Sequence, residues 1–114
     1  MTTLDESAII KIFQEGFGNK KFVSEDVEVF KIGRTQIVAK TDTFVQSTDM
    51  PSNMKMTDAA RKSIVACISD FAAKGVKPQY GMISINLPKM ISRGKINEIS
   101  KGLKHASDEF NIRI

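Results

Sequence analysis

The sequence predicts a mixed α/β (α+β) domain, with mixed or antiparallel strands and helices on one face of the sheet. Three observations predict it. Apolar residues recur at helical spacing in three separate stretches, short runs between them alternate apolar with polar, and glycine or proline punctuates the junctions. The 114 residues suit one small domain with a modest core. At 41% hydrophobic and 26% charged, the composition is that of an ordinary globular chain.

The first element is a helix. Thr3 and Glu6 have the spacing of a capping box, Ile9, Ile12, Phe13 and Phe17 follow at helical intervals, and Gly16 and Gly18 end the run. "DVEVF" (26–30) alternates as a short strand, "KIGRTQ" supplies a glycine turn, and "QIVAKTDTFVQS" (36–47) reads as a longer strand. Residues 48–56, "TDMPSNMKM", form a polar, methionine-rich loop. Thr57 or Asp58 is the expected cap of a second helix, which runs to Lys74 and stops at Gly75 and Pro78. "QYGMISINLP" (79–88) is expected as a strand with Ile83, Ile85 and Leu87 on one face. The last helix starts near Ser92 and carries Ile96, Ile99, Leu103, Ala106 and Phe110 along one stripe, weakened by Gly94 and Gly102. The chain closes on "NIRI", which reads as the start of a strand. A strand without its partner leaves an open edge, so these residues are expected to belong to a longer protein.

The formal net charge is +4 and the pI is near 9.3, which on its own invites a nucleic-acid reading. The distribution argues against it: lysines stand singly, there is no Trp, and the one aromatic pair, Phe13 with Phe17, lies on an apolar stripe. Residues 61–114 hold ten Lys/Arg against four Asp/Glu, whereas residues 25–58 hold six acids against four bases. The acids therefore concentrate where a site is sought. Cys67 is the single cysteine, so neither an internal disulfide nor a cysteine zinc site is available, and a buried mid-helix thiol is expected. The N-terminal stretch carries acids where a signal peptide needs bases, and no run approaches a membrane span. A cytoplasmic protein without membrane or nucleic-acid partners is the expectation.

Asp26, Asp42, Asp49 and Asp70 are the candidate acids. On a strand, Asp42 shares a face with Val38, Lys40 and Phe44, and an acid there runs against β-propensity. From spacing alone, a solvated face is the commoner reason for an acid at such a position. Asp26 also fits a turn, and Asp70 also fits a helix-surface acid paired with Lys74 four residues on. Yet Asp70 is ringed by Ala66, Cys67, Ser69, Ala72 and Ala73, which leave room for something larger than water. If the acids converge, they need a cation between them, and oxygen ligands favour Mg²⁺ or Ca²⁺ over zinc. Mg²⁺ bridges carboxylates to phosphates, which points to a nucleotide polyphosphate. No GxxxxGK[ST] loop is present, so a P-loop kinase is excluded. His105 has no acid partner at a suitable spacing and is assigned no ligand role.

"AKTDTFVQSTDMP", "ARKSIVACISDFAAKGVKP" and "ISINLP" resemble, in this order and at compatible spacing, the N-terminal domain of the thiamine-monophosphate kinases. The resemblance is strongest to their archaeal branch, within the superfamily of aminoimidazole ribonucleotide synthetase, and covers nearly the whole chain. It implies transfer of the γ-phosphate of ATP to thiamine monophosphate, giving the diphosphate, with Mg²⁺ ions and no covalent enzyme intermediate. Matched residue by residue, it implies Asp26, Thr41, Asp42 and Asp70 as metal ligands. Asp49 stands where many bacterial members carry a substrate-contacting histidine, Glu25 replaces a more usual Asp, and Lys40 stands where a Ser or Thr often contributes a ligand. The space around Asp70 then serves metal ions and phosphates.

The resemblance further implies that residues 1–114 are a single N-terminal domain for ATP and Mg²⁺ binding and for dimerisation, pairing sheets with a second copy. A Gly-Gly-Asp turn and a C-terminal domain would follow beyond Ile114. Two alternatives stand beside this reading. One is another ATP-using member of the superfamily, of the hydrogenase-maturation or purine-synthesis type. The other is a non-catalytic dimerisation or nucleotide-binding module.

Overall fold

A computed structural model describes residues 3–18, 27–46 and 50–114. The described residues form three helices and one antiparallel hairpin: α1 (Glu6–Gly16), β1 (Glu28–Ile32), β2 (Thr35–Ala39), α2 (Met56–Ala73) and α3 (Arg93–Glu109). The mixed α/β class read from the sequence is the one observed.

The helix ends follow from side chains that satisfy the orphan backbone groups. α1 is capped by Asp5, whose carboxylate accepts from the Ala8 N–H at 2.7 Å, rather than by Thr3. Ser92 caps α3, accepting from the Lys95 N–H at 3.2 Å. α2 starts two or three residues earlier than Thr57 or Asp58 would set it: Lys55 stands at its N-cap without a side-chain bond. At its far end Gly75 takes φ +70°, the Gly75 N–H donates to the Ala72 carbonyl (3.0 Å) and the Val76 N–H to the Phe71 carbonyl (2.9 Å). That pattern is a Schellman motif. Asn111, at φ +54°, ends α3 in the same way, with the Ile112 N–H donating to the Ser107 carbonyl at 2.8 Å.

The hairpin is built on a two-residue turn. Ile32 pairs with Thr35, and Gly33, the first turn residue, has φ +61°. A positive φ at that position suits a type II′ turn, whose twist matches the flanking strands. The ladder runs back to Glu28 opposite Ala39, so β2 is shorter than the 36–47 strand expected from its pattern. Residues 40–45 leave the ladder.

The core lies between α2 and α3. Ala59, Ala60, Gly102, Ala106 and Ser107 are buried there, and the first turns of α2 meet the last turns of α3. Gly102 is required by the approach. A Cβ on it would stand 2.2 Å from the Thr57 carbonyl oxygen and 2.8 Å from the Ala60 Cβ. The residue that weakens α3 by propensity is the one that lets the helices touch. At the rim, the Arg61 guanidinium donates to both oxygens of Glu109 at 2.9–3.1 Å and lies 5.9 Å from the centre of the Phe110 ring.

One expected strand is not formed. In the 79–88 stretch the pairing reduces to a single parallel bridge between Tyr80 and Arg113. The Arg113 N–H donates to the Gln79 carbonyl and the Gly81 N–H to the Arg113 carbonyl, both at 2.9 Å. A strand takes its ladder from a neighbour, and among the described residues the backbone pairing of this segment is limited to residue 113. "NIRI" thus supplies the one bridging partner. Ile83, Ile85 and Leu87, the predicted apolar face, stay exposed.

Candidate functional site

Two side-chain contacts join residues 40–44 to α2. Lys40 reaches Asp70, near the end of the helix, while the Phe44 ring lies 6.0 Å from the Lys62 ammonium, eight residues earlier. Four extended residues span about 13 Å and eight helical residues about 12 Å, so the two contacts are compatible with one straight alignment. The hairpin therefore delivers the "AKTDTF" stretch along the face of α2 that carries Asp70.

The centre of this arrangement is the Lys40 ammonium. It donates to Oδ2 of Asp70 and stands 3.5 Å from Oδ2 of Asp42. Its side chain is only 8% exposed, against 42% for Asp42 and 30% for Asp70. A nearly buried ammonium thus joins two half-exposed carboxylates. Asp42 is further oriented by its own backbone, since its Oδ1 accepts from the Thr43 N–H at 2.8 Å. That bond leaves Oδ2 directed at the cation. Thr41 is exposed between Lys40 and Asp42.

Cys67, one helical turn before Asp70, is half-buried. Burial pushes its thiol above the usual 9.0, the Lys40 ammonium pulls it down, and the Asp42 carboxylate pushes it up again. The thiol therefore senses both charges of the cluster while remaining protonated at neutral pH. His105 is exposed on α3.

Of the acids marked in the sequence, Asp42 and Asp70 are brought to one cation, whereas Asp26 and Asp49 lie outside the described residues. The residue that sequence reasoning undervalued is Lys40. The signal was its position two residues before Asp42, which places both on one side of an extended chain. Its link to Asp70 crosses thirty residues of sequence and has no local signature.

The donor set suits a hard divalent cation. Asp42 and Asp70 offer carboxylate oxygens, Thr41 offers a hydroxyl, and the two acids already share a positive charge. Among the described residues no group of three or more His, Cys, Asp or Glu side chains stands ready to hold a metal by itself. Among the described residues no helix is long and apolar enough to cross a membrane.

Comparison with known proteins places the chain in a family. Residues 24–114 match the model of the AIR synthase related protein, N-terminal domain. The chain is 63% identical, over all its 114 residues, to a thiamine-monophosphate kinase of Nitrosopumilus maritimus, of which it covers 36%. It is 28% identical over its whole length to the thiamine-monophosphate kinase of Pyrococcus horikoshii, covering 37% of that protein. The corresponding protein of Archaeoglobus fulgidus is 28% identical over 97% of this chain, which covers 38% of it. The chain thus spans little more than a third of the length of these curated relatives. No solved structure matches it significantly. With four-fifths of its residues matched, the chain belongs to the family of AIR synthase related proteins, as their N-terminal domain.

Proposed function

We propose that this chain is the N-terminal, ATP- and Mg²⁺-binding domain of a cytoplasmic kinase that phosphorylates thiamine monophosphate to thiamine diphosphate. The observation that carries it is the convergence of Asp42 and Asp70 on a single cation, in a chain whose relatives are named for that reaction. Asp42, Asp70 and the Thr41 hydroxyl would hold Mg²⁺, joined by Asp26, and Asp49 would face the thiamine substrate. When bound, Mg²⁺ neutralises the phosphate oxygens and aligns them for in-line transfer. The protein's own contribution is position. The Thr43 N–H, in the segment that follows the hairpin, orients Asp42, and α2 carries Asp70 opposite it.

Thr41 and Asp42 also lie on the exposed side of the cluster, where a polyphosphate can approach without entering the packed seam between α2 and α3. No nucleophilic side chain is required, because phosphoryl transfer rests on positioning and charge neutralisation. The partner copy is proposed to pair with the unladdered 79–88 segment and the hairpin edge, making a homodimer.

These 114 residues supply one wall of such a site, so turnover is expected only from a protein that carries the remaining walls. The test is conversion of thiamine monophosphate to the diphosphate with ATP and Mg²⁺. It is run on this chain alone and on the longer protein that contains it, with and without Asp42→Asn. The longer protein should turn over, Asp42→Asn should lower its rate by roughly 100-fold or more, and the 114-residue chain should be inactive. A longer protein inactive towards thiamine monophosphate overturns the substrate. An Asp42→Asn protein with an unchanged rate overturns the site.

A further inference from the structure

The cation that joins Asp42 and Asp70 is part of the protein. We infer that Lys40 is a resident countercation of this carboxylate pair, one that a divalent cation must displace in order to bind there. This rests on the proposed metal role of Asp42 and Asp70 and adds to it an intramolecular competitor.

Three observations carry it. The ammonium contacts one carboxylate oxygen of each acid, donating to Asp70 and standing 3.5 Å from Asp42. A metal bridging these two acids through those oxygens would claim the space the ammonium occupies. Secondly, the lysine is far more enclosed than its partners, at 8% exposure against 42% and 30%. An exposed surface pair gains little and yields readily to water, whereas an enclosed ammonium keeps its charge at the carboxylates. Thirdly, the outer sides of both carboxylates remain open, so an incoming ion can engage them before the ammonium leaves.

The consequence is an exchange of cations. Without metal, Lys40 holds the "KTD" segment against α2 and offsets the repulsion between the two acids. As a divalent ion takes the carboxylates, the ammonium is released on its flexible four-carbon stem, with its three donors available to phosphate oxygens. The site would therefore be kept assembled before metal arrives, with weaker metal affinity as the consequence. It would also favour metal that arrives with phosphate, because the displaced ammonium then gains a new anionic partner.

The experiment measures Mn²⁺ binding to the full 114-residue chain by electron paramagnetic resonance, together with thermal unfolding followed by circular dichroism. Wild type is compared with Lys40→Met, which keeps the apolar stem and loses the charge, and with Asp42→Asn. Lys40→Met should bind Mn²⁺ at least about tenfold more tightly, the scale expected for removing a unit charge at this distance from a part-buried site. Its metal-free melting temperature should fall, and saturating Mn²⁺ should restore it. Equal or weaker Mn²⁺ binding by Lys40→Met, with Asp42→Asn still weakening binding, overturns the role of Lys40 and leaves the metal site standing. Mn²⁺ binding that Asp42→Asn does not weaken overturns the metal site and this inference with it.

Should Lys40→Met fail to fold, the wild type answers instead. The side-chain ammonium signal of Lys40 is followed by nitrogen-15 magnetic resonance during a Mg²⁺ titration. Loss of its protection from exchange at saturation supports displacement. A signal unmoved at saturating Mg²⁺ overturns it.

Discussion

Lys40, Asp42, Asp70 and Cys67 form one electrostatic unit, and the thiol is its built-in reporter. Because burial raises the Cys67 pKa, the folded chain holds this proton more tightly than the unfolded chain does. The sign follows directly. Stability from this group is fully present below the usual thiol value of 9.0 and is lost as pH rises through the higher folded value. Urea unfolding across that alkaline range should show wild type losing stability relative to Cys67→Ser, with the two running parallel at neutral pH. In the same direction, a thiol reagent at about pH 8 should react more slowly with the folded chain than with the urea-unfolded one. Equal rates would show that the thiol is not held in this environment. The acids themselves were legible in the sequence because Asp42 interrupts a strand-like pattern and Asp70 sits among small residues. Their common partner was not, since an ion pair between positions 40 and 70 depends on how the hairpin meets the helix.

Each helix is decided at its ends and along one face. Gly94 and Gly102 have the same intrinsic cost to α3, yet the structure separates them. A Cβ at Gly94 would meet only the Ser92 Oγ, 4.0 Å away, whereas one at Gly102 would collide with the backbone of Thr57. Gly94→Ala should therefore stabilise the chain by up to about 1 kcal/mol, from helix propensity and a less free unfolded state. Gly102→Ala should destabilise it by about 1–3 kcal/mol, because the clash with a backbone carbonyl exceeds the propensity gain. Urea unfolding of the two variants measures this. Identical shifts would show that α2 and α3 do not approach as closely as the seam requires. The strands show the complementary limit. The turn at Gly33 was readable from the sequence, because a two-residue hairpin turn with φ +61° at its first position favours glycine. The end of the ladder at Ala39 was not, because it depends on where β1 begins.

For the molecule as a whole, the accounting is dominated by surface. It exposes 9687 Å², where a compact monomer of its 12.6 kDa mass would expose about 6,200 Å². Its radius of gyration is 17.0 Å, against about 13 Å for a compact domain of similar length. Among the described residues no large side chain is fully buried, and Val29, Phe30, Ile32, Ile83, Ile85 and Leu87 all remain exposed. The excess, about 3,500 Å² on one chain, is surface that a second chain could cover. The hairpin and the 79–88 segment, with their alternating apolar positions, are the surfaces suited to strand addition. Light scattering at micromolar concentration should accordingly give twice the monomer mass, and Ile85→Lys, which places a charge on the apolar face of that segment, should shift it towards monomer. A wild-type monomer at that concentration would rule out the proposed pairing.

What the sequence determined by itself is what a few neighbouring residues can enforce. It marked three helices, the stop at Gly75, the start of the last helix near Ser92 and the Gly33 turn, because helix ends and turns are closed by groups within about one helical turn of each other. It also marked the acids, through residue types at odds with their local pattern. Tertiary structure alone decided that Lys40 stands between Asp42 and Asp70, that Gly102 must lack a side chain, and that residues 81–88 form no ladder. Each of these depends on residues distant in the chain. The physical reason is range: a backbone cap is satisfied locally, whereas an ion pair, a helix seam or a strand edge is satisfied only when the fold delivers a second surface.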